Sequence, residues 1–162
     1  MMTTDSFFEK QKSKDCSVHS LNNALGRVVI TPDEVTSELG RRVGAYAQEM
    51  GLPTSSKEVK KYRDGLTEDD TFFSAECVWY AAAALGRSRV PKQIEYKGSL
   101  TPEILSRSNI IFLGKVEDGS YHAVGARNGK VYDSLNIDPL PEPLTDETIK
   151  DIYKEVMGVF AF

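Results

Sequence analysis

The chain has 162 residues, 40% of them hydrophobic and 27% charged, with a formal net charge of −4. These are globular proportions; they exclude a disordered chain, and the length suits one domain with a single core spanning residues 1–162. The only basic clusters are the pairs Arg41-Arg42 and Lys60-Lys61, which argues against a nucleic-acid partner.

Two cysteines, Cys16 and Cys77, are too few for a disulfide framework and favour a reducing compartment. The first eight residues carry no apolar signal region. No apolar stretch approaches the ~20 residues of a membrane span. The expectation is a monomer in the cytoplasm, with no membrane contact.

The first periodic segment is Cys16, Val18, Leu21, Ala24 and Leu25, a helix that Ser13 or Asp15 can cap and Gly26 ends. Thr31-Pro32-Asp33-Glu34 starts a second helix, with threonine as cap and proline at the first helical position. Its face continues through Val35, Leu39, Val43 and Ala47. Gly40, Gly44, Gly51 and Pro53 make residues 31–65 the least regular region, with a break near residues 51–56. Ser74 to Leu85 is an alanine-rich helix with Gly86 at its C-terminal cap.

The pattern then changes. Strands are predicted over residues 94–96, 110–113, 121–127 and 130–135, with a short helix from Thr101-Pro102-Glu103 between the first two. Asn128-Gly129 between two strand patterns is a strong hairpin signal. A last helix is predicted over residues 145–156 and a closing strand over 159–162. Helices followed by a mostly antiparallel sheet make an α+β layout. A cysteine at a helix start, followed much later by a histidine on a strand, is the layout of papain-like enzymes.

Three positions can carry nucleophilic chemistry. Cys16 sits at a predicted helix N-terminus, where the dipole and free N–H groups favour an anion, and the thiolate is the attacking form. His122, one of two histidines, follows the polar turn Glu117-Asp118-Gly119-Ser120 and can serve as general base. A third group would orient its imidazole. With a two-residue turn at Asn128-Gly129, Arg127 pairs with Lys130, and His122, Val124, Asp133 and Leu135 share one face. Asp133 is then a diagonal neighbour of His122. A three-residue loop would shift the register by one and present Asn136 instead.

Gln11, five residues before Cys16, can donate to an oxyanion together with the Cys16 backbone N–H. His19 lies one turn beyond Cys16 on the same helix, leaving no cleft between them for a substrate, and reads as structural or gating. Cys77 reads as core. No metal-ligand spacing appears, and no cofactor is expected.

Glu9-Lys10-Gln11, Cys16, His19, Leu21-Asn22-Asn23 and Leu25 together resemble the opening of Josephin domains, the ataxin-type deubiquitinases. Asp69 to Ser74 looks like that family's segment before a long helix, and the 106-residue spacing from Cys16 to His122 is typical of it. The resemblance implies a papain-like fold and a thiol hydrolase that cleaves after the C-terminus of ubiquitin or a ubiquitin-like protein. It puts the oxyanion glutamine at Gln11, the nucleophile at Cys16 and the base at His122. Anchoring on Gly129-Lys130 carries the third role to Asn136; the wider papain-like pattern carries it to Asp133. The aromatic that often follows the histidine is Ala123 here. The family also implies that residues 31–65 form a helical arm beside the site. Two other readings are a papain-like peptidase of viral or bacterial type with a non-ubiquitin peptide substrate, acting in a host cytoplasm, and a catalytically silent ubiquitin-binding module.

Overall fold

The structure, a computed structural model, describes residues 16–65, 74–134 and 141–162. It is an α+β arrangement whose described strands form one six-stranded antiparallel sheet.

Helix α1 (Cys16–Leu25) is buried on all sides from Cys16 to Ala24. Its polar residues are held locally. The Asn22 side chain accepts from the Val29 and Ile30 N–H groups and donates to the Ile30 carbonyl, clamping the turn that leaves the helix. Helix α2 (Pro32–Met50) opens with a capping box, Thr31 and Glu34 each bonding the other's backbone N–H. It continues unbroken through Gly40 and Gly44, which face open space. Each glycine costs a helix about 1 kcal/mol relative to alanine. The cap and the buried Val35, Leu39 and Ala47 offset this. Gly51, with φ +66°, ends the helix, and α3 (Lys57–Asp64) runs back from its Ser56 cap. Tyr46 and Tyr62 stack at 4.1 Å and 8° across this hairpin.

Helix α4 (Ala75–Ala84) starts from the Ser74 cap and ends in a turn at Gly86, φ +71°. There follow β1 (Lys92–Ile94), α5 (Pro102–Leu105), β2 (Asn109–Lys115), β3 (Tyr121–Arg127), β4 (Lys130–Tyr132), β5 (Glu142–Pro143), α6 (Asp146–Ile152) and β6 (Glu155–Ala161). The sheet order is β1-β6-β2-β3-β4-β5, so the last strand lies between the first and second.

One sheet face carries Ile111 beneath α1, α2 and α4, whose Val18, Leu21, Val35, Val78 and Trp79 form one core. The other carries Ile110, Phe112, Val124, Ala126, Val131 and Val159 under Ile104 of α5 and Ile149 and Tyr153 at α6.

Two expectations are corrected here. The last helix ends at Ile152, not residue 156: Tyr153 is extended (φ −113°, ψ 133°), buries its ring in the second core, and the chain enters β6 from Glu155. The first strand is Lys92–Ile94 rather than 94–96, because its register is set by pairing with Val159 to Ala161 of β6.

Candidate active site

The β3–β4 hairpin has the two-residue turn. Asn128 and Gly129 both have positive φ (53° and 79°), as a type I′ turn requires. Arg127 pairs with Lys130, Ala126 with Val131 and Gly125 with Tyr132. Extending the count, Val124 stands opposite Asp133, and His122 and Asp133 project from the same face. Their side chains meet: His122 Nε2 lies 2.7 Å from Asp133 Oδ1, with both residues buried.

The thiol arrives from the other layer. Cys16, buried in the first described turn of α1, lines the same cleft as His122 and lies close enough to raise the imidazole's pKa. Among the described residues, β4 pairs with β3 over Gly125 to Arg127. With Nε2 engaged by the carboxylate, Nδ1 is the nitrogen left to face the thiol.

Burial is the largest influence on His122 and disfavours its charge. The hydrogen bonds and charges of Asp133 and Cys16 outweigh it and raise the imidazole to about 9. Near neutral pH the ring is therefore held as an imidazolium between two acidic groups. Cys77 contrasts with this: burial pushes its thiol up, against a smaller opposing effect from Arg42.

Backbone contact fixes where α1 sits. A Cβ on Gly125 would strike the Ser20 carbonyl oxygen and come within 2.6 Å of Ala24 N, so only glycine lets β3 touch the helix backbone. Arg127 Nη1 donates to the Asn23 carbonyl at 2.6 Å, and Asn109 Nδ2 to the Ala24 carbonyl at 2.7 Å. The guanidinium of Arg127 also lies over the Tyr132 ring, 4.2 Å from its centre.

A cleft of about 320 Å³ opens beside the pair. Small residues (Gly65, Ala75, Gly114, Ala123, Gly158) line it near Cys16 and His122, with Tyr121, Met157 and Phe160 as its larger apolar walls. Met157 is the extra residue of a bulge where the β2–β6 register shifts, and it and Tyr121 are half exposed.

Of the predicted site residues, Cys16, His122 and Asp133 come together. Gln11 and Asn136 lie outside the described residues, as do the proposed caps Ser13 and Asp15. His19 is buried within α1. Gly125 was not singled out from sequence, although a glycine inside a strand pattern is itself a signal of close backbone approach. The helical pattern over residues 145–156 likewise hides Tyr153. Among the described residues no three His, Cys, Asp or Glu side chains are grouped as a metal site needs, and no helix is long and apolar enough to cross a membrane.

Neither the family models nor the curated proteins compared with this chain give a match.

Proposed function

We propose that the chain is a cysteine peptidase of the papain-like fold and Josephin type, hydrolysing the peptide or isopeptide bond after the C-terminus of ubiquitin or a ubiquitin-like protein. The observation that carries this reading is the convergence of Cys16 and His122 at the wall of one cleft, with Asp133 bonded to the imidazole. The choice of ubiquitin rests on the resemblance of the N-terminal block.

In the reaction, the Cys16 thiolate attacks the scissile carbonyl carbon, and the carbonyl's electron pair moves to its oxygen. The Cys16 backbone N–H and Gln11 serve as oxyanion donors. The anion collapses, the C–N bond breaks, and the imidazolium of His122 protonates the departing amine. The neutral imidazole then takes a proton from water, whose hydroxide attacks the thioester; the C–S bond breaks, the carboxylic acid leaves and loses its proton to solvent, and the thiolate–imidazolium pair is restored. Asp133 orients the ring and stabilises its charged form at both stages. Gly65, at the end of α3, lines the same cleft, which supports the reading of the α2–α3 hairpin as an arm over a substrate tail.

The test is incubation with ubiquitin bearing a C-terminal alkyne electrophile, read by intact mass. The expected result is one adduct on Cys16, absent from Cys16→Ala. Hydrolysis of peptide libraries without a ubiquitin adduct would move the substrate to another peptide. No reactive thiol at all would leave a binding module.

A further inference from the structure

The sheet is irregular beside His122. His122 pairs with Gly114, where the β2–β6 register shifts. A base in such a place needs its backbone held by something else. Tyr153 does this. Its hydroxyl lies 3.0 Å from the carbonyl oxygen of His122 and 3.0 Å from that of Phe112, its one hydrogen shared between them. The contact ties β3 to β2 beside the imidazole, whose ring centre lies 6.5 Å from that of Tyr153.

The surroundings are shaped for this phenol. Gly114 leaves room for it: a Cβ there would come within 2.7 Å of the Tyr153 ring and strike the Glu155 carbonyl oxygen. α6 stops one residue earlier, and the extended conformation of Tyr153 carries its ring under the sheet. Burial, with smaller effects from Asp133 and Cys16, holds the phenol protonated far above neutral pH, so it remains a donor while the thiol and imidazole titrate.

We infer that Tyr153 is a positioning residue for the Cys16–His122 pair, its hydroxyl fixing the His122 backbone so that the ring bridges Asp133 and the thiol. This rests on the reading of Cys16 and His122 as nucleophile and base. A phenylalanine keeps the packing and removes only the tether. The ring then spends less time between its two acidic partners, and both bonds that raise its pKa weaken.

The experiment compares wild type with Tyr153→Phe. The protein's two histidines, His19 and His122, are labelled with ¹³C and followed by NMR against pH, together with the rate of Cys16 alkylation by iodoacetamide. The expected result is a fall of about one unit in the His122 midpoint and about tenfold slower alkylation at neutral pH, on the scale of a sub-ångström misplacement, with the His19 signal unmoved. If the variant is poorly folded, both proteins are measured with trimethylamine oxide added to populate the native state. A lower melting temperature with an unchanged His122 midpoint and alkylation profile would overturn the inference and leave Tyr153 a packing residue. A wild-type His122 that titrates like a free imidazole would overturn both this inference and the thiol–imidazole reading beneath it.

Discussion

Replacing Gly125 with alanine tests whether the site is built by backbone contact between α1 and β3. The added Cβ would sit 2.6 Å from Ala24 N, whereas optimal non-bonded contact is about 3.5 Å. Relief therefore requires the helix and strand to separate by about 1 Å. Neither can yield by a side-chain rotation, since the obstructing atoms are backbone. Overpacking of this kind costs about 1–3 kcal/mol, which lowers the melting temperature by about 5 °C in a chain of this size. The larger effect is on chemistry, because Cys16 rides on α1 and His122 lies three residues from Gly125 on β3. A displacement of about 1 Å between reacting groups lowers rates on the order of 10²-fold. The assay pairs thermal unfolding with the second-order rate of Cys16 alkylation between pH 5 and 10. A folded Gly125→Ala protein with the wild-type alkylation profile would refute the reasoning.

Alkylation under native conditions should label Cys16 and spare Cys77, whose thiol burial keeps protonated; Cys16→Ala should abolish labelling with its melting curve retained, as peptide mapping would show. Because folding raises His122 from 6.5 to about 9, its contribution to stability is complete below pH 6.5 and lost as pH rises through about 9, at most about 3 kcal/mol. Urea unfolding from pH 6 to pH 9.5 should show that loss in wild type and not in His122→Ala. Gln11→Ala should lower kcat on the order of 10²-fold with KM nearly unchanged, as expected for a lost oxyanion donor; a rise in KM alone would make it a binding residue.

Local chemistry made much of this legible in sequence. Asn128-Gly129 can hold positive φ at both positions, so the hairpin register followed from two residues, and with it the shared face of His122 and Asp133. The Ser74 and Thr31 caps and the glycines after α2 and α4 marked helix ends for the same reason. What sequence did not reveal depends on distant partners. Residues 153–156 fit a helical pattern, yet Tyr153 turns away because its hydroxyl finds two strand carbonyls. β5 is two residues long, one of them proline, and exists only through its pairing with β4. Gly40 and Gly44 suggested an irregular arm, whereas packing of the opposite face keeps α2 continuous over 19 residues. The alternative third residue, Asn136, and the oxyanion residue, Gln11, fall outside the described residues, so their roles stay with the proposal.

The position of β6 between β1 and β2 has a consequence for synthesis. A ribosome adding roughly 5–20 residues per second exposes Cys16 about 5–20 s before His122, which is 106 residues later in the chain. Even then β1 has no neighbour in the sheet, because β6, which lies between it and β2, comes later than the other strands, and with it Met157, Gly158 and Phe160 of the cleft wall. A nascent chain therefore carries an ordinary cysteine, and a product cut short before β6 cannot assemble the cleft. On the proposed reading, the reactivity of Cys16 is withheld until the strand that completes the sheet has been translated.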